Sequence, residues 1–347
     1  MTIDQISKSR PYTPSDADWK MIYDVLPGKA QIADPAVINP QFECIEVTGN
    51  AVLPANGMYI VLRGVVQLRQ NGNPLASADV GDYFYEEHLQ ISDIPVSLEA
   101  LALDGTRLAY LSSKNWLQIP ESVRQPCFAT MFGDLVSVQL QNFQQPINCC
   151  SVTAAALSMS ALGFSCEVND IFRECALPSS FVVNDGISLG ELFDVACTYI
   201  HTQGLRERVQ VQAYFMDEDT TSVPLLLEAI DESNRLGGDN DILVANFQVG
   251  LAHGKENMPG GHFAVIAKCN PSTGLVHMMD VHPEKYGKLW VTTVERLWQA
   301  MSDRDGTSMR SRGLLRFSAR AAVKTHLKTF KQRCNYVDST RYLAKDP

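Results

Sequence analysis

The residues best able to do chemistry in this chain lie in the run Gln144-Gln145-Pro146-Ile147-Asn148-Cys149-Cys150-Ser151, which leads into the small-residue apolar segment Val152 to Leu162 and then Gly163. A thiol at the first turn of a buried helix faces backbone N–H groups and the positive end of the helix dipole, and both favour the reactive thiolate. Cys150 is therefore the candidate nucleophile. Such a nucleophile needs a base, a group that orients the base, and donors for the developing oxyanion. Gly260-Gly261-His262-Phe263-Ala264-Val265-Ile266 puts His262 at the start of an apolar strand after a flexible turn. Met278-Met279-Asp280-Val281 ends the next strand, across a turn at 270–274. If these strands pair as a hairpin, Asp280 comes close enough to fix the ring tautomer of His262. Gln144, six residues before Cys150, could donate its side-chain amide to an oxyanion together with the Cys150 N–H. Taken singly, a core thiol, a turn histidine and a surface amide explain these residues equally well.

The elements that must position these groups fall into two compositional regions. Residues 42–118 read as short strands: Met58 to Arg69 is strand-rich and broken by Gly64, Asn71-Gly72 signals a hairpin, and strand character resumes at Pro74 to Ala78. A turn at Val80-Gly81-Asp82 and strands at Val96 to Ala102 and Thr106 to Ser112 complete an all-β unit. From Pro120 onward the pattern predicts helices at 121–140, 150–162, 187–201, 220–236 and 292–302, with strands at 208–215, 241–248, 262–268 and 275–281. The expected organisation is an N-terminal β domain over 1–120, a catalytic α+β domain over 121–320 and a solvated C-terminal extension over 321–347.

Composition narrows the function classes. The chain has 347 residues, a formal charge of -10 and only local basic bias at its C-terminal end, which argues against a nucleic-acid binder. The N-terminal stretch has no apolar core of a secretory signal, and no run of about 18 apolar residues predicts a membrane span. Nine scattered cysteines fit reduced thiols and a cytoplasmic location better than a disulfide framework. Their spacing fails as a zinc site, since the one close pair, Cys149-Cys150, cannot easily direct both thiolates at one ion. Neither a metal nor a cofactor is expected. His253 and His282 read as loop or cleft residues, and Trp290 and Trp298 as core and wall packing.

The N-terminal unit resembles the β-roll of the cyclic-nucleotide-binding domain family, on Tyr59 to Leu68, the Asn71-Gly72 hairpin and Gly81-Asp82-Tyr83-Phe84 followed by Glu86. The resemblance implies a phosphate held by an acidic residue and an arginine. Glu86 or Glu87 could fill the first role, but Ile91 to Ser97 offers no arginine, so the expected role is docking, homodimerisation or peptide capture.

From about Pro126 to Ala319 the chain resembles the catalytic domain of the phytochelatin synthase family, a papain-like cysteine peptidase fold. Gln144, Pro146, Cys150 and Ser160-Ala161-Leu162 echo its cysteine motif, and Gly261-His262-Phe263 echoes its histidine motif. Met279-Asp280-Val281 echoes its carboxylate segment, and Lys285, Tyr286, Trp290-Val291 and Leu297 to Met301 echo the stretch downstream of that segment. Counting back from Leu162 selects Cys150 as nucleophile, whereas anchoring on Pro146 would select Cys149; the helix constrains spacing more tightly and favours Cys150. The resemblance implies acyl transfer through a thioester. Where the family carries a basic residue three positions after the aspartate this chain has Pro283, and only Cys334 lies beyond the catalytic region, so metal-activated glutathione polymerisation is not expected. The expected activity is a cysteine peptidase acting on a peptide, with precursor-peptide maturation as its setting and the β-roll capturing a leader segment. The alternatives are a glutathione hydrolase or γ-glutamylcysteine transferase that releases glycine, and a non-catalytic peptide-binding regulatory protein.

Overall fold

The computed structural model describes residues 6, 8–26, 35–70, 72–89, 98–124, 127, 145–146, 148–219, 221–237, 240–255, 258–270, 273–287, 289–321 and 336–339. The chain is a mixed α+β protein that divides into two compact units, 1–132 and 133–347. The expected helix over 121–140 and the arginine-free stretch Ile91 to Ser97 lie largely outside the described residues.

In the first unit, β1 (Ser9–Pro11), β2 (Glu43–Val47), β3 (Ala51–Leu53), β4 (Gly57–Arg63), β5 (Val66–Gln70), β6 (Asn73–Ala78), β7 (Tyr83–Phe84), β8 (Leu98–Ala102) and β9 (Arg107–Ser112) form two antiparallel sheets. Their orders are β1-β2-β9-β4-β7 and β3-β8-β5-β6. The strand-rich run breaks at Gly64, whose φ of 85° and close approach to Thr106 admit no side chain. Tyr59, Val61 and Tyr110 from one sheet and Val66, Leu68 and Ala100 from the other share one core. Pro74 lies on β6, an edge strand, where its missing N–H costs no ladder bond.

The second unit is built on a seven-stranded antiparallel sheet. Its strands are β10 (Val209–Phe215), β11 (Asp241–Gln248), β12 (Gly261–Asn270), β13 (Leu275–Met279), β14 (Leu289–Thr293), β15 (Gly313–Ala319) and β16 (Tyr336–Asp338), in the order β14-β13-β12-β11-β15-β10-β16. Both faces of the middle strands are buried: every residue from Asp241 to Phe247 and from His262 to Ala267 is covered. Helix Cys150–Ala161 packs on β12 and β11, helix Val223–Leu236 on the same two strands, helix Leu189–Thr202 on β10 and β15, and helix Val294–Ser302 on β11, β14 and β15. Residues 336–338 were expected in a solvated extension; instead they pair with β10 and cover that edge of the sheet, where an open ladder would leave backbone groups unmatched.

β12 and β13 form the anticipated hairpin, with Val265 opposite Met279 and Ile266 opposite Met278. Continuing that register sets Asp280 across from Ala264, diagonal to His262 on the same side of the sheet. Among the described residues no helix is long and apolar enough to cross a membrane.

Candidate active site

The helix beginning at Cys150 carries no charged residue and is almost wholly buried, and its small residues let it lie close to the sheet. The loop before it is fastened at two points. The Gln145 backbone N–H donates to the Val281 carbonyl at 2.8 Å, one residue beyond Asp280. Asn148, at a φ of 56°, donates its side-chain amide to the Val183 carbonyl at 2.7 Å. Cys149 is the N-cap residue and is buried, whereas Cys150 is the first helical residue and is partly exposed. Burial and the neighbouring Cys150 push the Cys149 thiol pKa up, away from the reactive thiolate.

His262 is buried on β12, paired across the ladder with Phe247, whose ring meets the imidazole edge-on at 5.7 Å. Gly261 precedes it because nothing larger fits: a Cβ there would stand 2.2 Å from a guanidinium nitrogen of Arg312. The imidazole Nε2 bonds Asp280 Oδ1 at 2.9 Å. Cys150 is near enough to the same ring to act on its charge. Burial opposes charge on His262, but Asp280 and Cys150 outweigh it and raise the pKa from the usual 6.5 to about 10. The fully covered Asp280 carboxylate also accepts the His282 backbone N–H at 2.8 Å on Oδ1 and the Trp290 indole N–H at 2.9 Å on Oδ2.

Of the four sequence candidates, His262 and Asp280 are directly bonded, and Cys150 begins the helix that packs on the strand carrying His262. The fourth, Gln144, lies outside the described residues. Its neighbour Gln145 has a buried side-chain oxygen with no hydrogen-bond partner among the described residues.

Sequence reading missed several neighbours of the site. Trp290 is core, as expected, but is also a donor to Asp280. His253 stacks on Tyr286 and lies against Trp290, with centroids 5.3 and 4.1 Å away, and Tyr286 in turn meets His262 at 4.8 Å. Arg312, beside Gly261, is buried and paired with Asp305 at 3.0 Å and Asp303 at 3.5 Å. The run Arg310-Ser311-Arg312-Gly313 carries charge without periodicity, so only the contact with Gly261 marks Arg312 as a wall of the site.

The fold and this site define an α+β protein with a buried imidazole–carboxylate pair and a partly exposed thiol at the start of a helix packed on the same sheet. Residues 100–314 match the phytochelatin synthase family, and the chain belongs to that family. No curated protein matches. The N-terminal region has a distant, partial likeness to cyclic-nucleotide-binding-like folds. A cyclic nucleotide-binding domain from Methylobacillus flagellatus is 16% identical, with 36% of this chain and 78% of that one covered at a TM-score of 0.29. The sensor domain of a transcriptional regulator from Pseudomonas aeruginosa is 15% identical, with coverages of 33% and 89% and a TM-score of 0.28. The catabolite activator protein of Thermus thermophilus is 18% identical, with coverages of 50% and 84% and a TM-score of 0.24.

Proposed function

We propose that this protein is a papain-like cysteine peptidase that cleaves a peptide amide bond through a thioester, with Cys150 as nucleophile, His262 as base and then acid, and Asp280 as the group that orients His262. The observation that carries this reading is the bond from His262 to a fully covered Asp280, with Cys150 near enough to raise the proton affinity of the same ring. In the reaction the Cys150 thiolate attacks the substrate carbonyl carbon while His262 holds the thiol proton. The oxyanion rests against the Cys150 N–H and the Gln144 amide. His262 then protonates the leaving amine, the C–N bond breaks, and water releases the acyl group from sulfur.

Precursor-peptide maturation is the setting we favour, with the N-terminal β unit capturing a leader segment. Pro283 stands where the family resemblance implies a basic residue, so a glutathione carboxylate loses that partner. Family membership favours a second reading, glutathione hydrolysis or γ-glutamylcysteinyl transfer with release of glycine.

The experiment is intact-mass labelling by iodoacetamide of wild type, Cys150→Ser and Cys149→Ser, followed by assay of glycine release from glutathione. Rapid labelling lost only in Cys150→Ser is expected. Glycine release would then select the second reading, and its absence would direct the search to precursor peptides. A wild-type Cys150 that labels no faster than an ordinary exposed thiol would sink the catalytic assignment and favour a protein that only binds peptide.

A further inference from the structure

The Asp280 carboxylate has two oxygens with different partners. Oδ1 serves His262 Nε2 and the His282 N–H, at 2.9 and 2.8 Å. Oδ2 accepts a hydrogen bond from the Trp290 indole at 2.9 Å. The Asp280 side chain is fully covered and Trp290 is buried, so water has no open route to replace that donor. The sheet explains why the indole arrives there. Trp290 lies opposite Met278 in the β13–β14 ladder, two residues before Asp280, so it is a diagonal neighbour of Asp280 on one side of the sheet. Its ring is held by the edge of Phe247, with centroids 5.6 Å apart, and by His253 at 4.1 Å. Phe247 is also the ring that meets His262.

We propose that Trp290 is a positioning residue, whose indole N–H fixes the rotation of the Asp280 carboxylate and thereby aims Oδ1 at His262. The inference rests on the reading of Cys150, His262 and Asp280 as nucleophile, base and orienting carboxylate. With Oδ2 bonded to the indole, turning the carboxylate about its Cβ–Cγ bond breaks a bond at each oxygen, so the ring of His262 has one partner in one place. Without the indole N–H, Oδ2 is a buried anionic oxygen with no donor, and the carboxylate turns to share the two remaining N–H groups. The contact at His262 loosens, and the imidazolium that holds the Cys150 proton loses part of its support. A phenylalanine at this position fills most of the space and donates nothing. An aromatic core residue and a carboxylate-fixing residue are thus the same side chain, with the second role residing in a single N–H group.

The test compares iodoacetamide labelling of Cys150, across pH, in wild type, His262→Ala, Trp290→Phe and a protein with benzothienylalanine at 290. The last exchanges the indole N–H for sulfur and keeps the bicyclic shape, so it separates hydrogen bonding from packing. Wild type is expected to label fast in a His262-dependent manner. Both Trp290 substitutions should label about tenfold more slowly near neutral pH, the size typical for loss of a group that orients a catalytic partner. The acid limb of their rate profile should move to higher pH. A benzothienylalanine protein that matches wild type in rate and pH profile would overturn the proposal while leaving the nucleophile assignment intact. A wild type whose Cys150 labels slowly and without regard to His262 would remove the assignment and the proposal together. Should Trp290→Phe fail to fold, the shape-conserving substitution still decides.

Discussion

Burial alone drives the His262 imidazole toward its neutral form, and the charge that persists there is the work of Asp280 and Cys150. The sign of the resulting pH dependence comes from linkage. The folded-state pKa, about 10, lies above the unfolded value, so the stabilisation is complete below the ordinary imidazole pKa of 6.5 and is lost as pH rises through about 10. Stability of the wild type, measured by urea denaturation, should therefore fall between neutral pH and pH about 10 more steeply than that of His262→Asn. Equal slopes for the two proteins would show that His262 is not held charged. At Cys149 burial acts in the other direction on the thiol, pushing its pKa up, with the neighbouring Cys150 adding to the shift. The two adjacent cysteines thus differ in access, a distinction their identical side chains conceal in the sequence.

At the scale of elements, the hairpin of β12 and β13 turns a sequence separation of 18 residues into a bond of 2.9 Å. Its precision depends on the close approach of Arg312 to Gly261. Gly261→Ala would drive a methyl group into a guanidinium that cannot swing clear, since Arg312 is buried and tied to Asp303 and Asp305. A loss of about 1–3 kcal/mol in unfolding free energy is expected from this overpacking. Slower iodoacetamide labelling of Cys150 should accompany it as His262 shifts, and unchanged stability with unchanged labelling would refute the argument. The hairpin was legible because two apolar runs flank a turn, and the helix from Cys150 because an uncharged run of small and apolar residues reaches Gly163. Helices Val168–Glu174 and Ser179–Asp185 were not, being too short for periodicity to emerge. β15 was hidden by Arg316, which reads as a break in an apolar run. The roles of Trp290 and Arg312 depend on contacts across strands and a loop, which one-dimensional spacing does not encode.

For the second unit as a whole, the most consequential polar contact lies in the middle of the sheet. Arg316 on β15 and Asp241 on β11 are both fully covered and bond at 2.6 and 2.9 Å, Nε to one carboxylate oxygen and Nη2 to the other. Neighbouring antiparallel strands bring the pair together, with Asp241 opposite Ser318 and Leu243 opposite Arg316. The charged residue is tolerated in β15 because its partner, 75 residues earlier, reaches it in bidentate geometry. A buried pair of this kind contributes little net stability, since desolvation offsets the attraction, yet losing one partner strands the other charge. Asp241→Asn should therefore cost about 3–5 kcal/mol in urea denaturation, while the double substitution Asp241→Leu with Arg316→Met should lose much less. The ordering of these two variants is the decisive quantity. If the double substitution is as damaging as the single one, the guanidinium is valued for its shape and remaining contacts. If it recovers most of the loss, the pair is a matched set whose members each require the other, and the sheet that carries His262 is held in register by apolar packing.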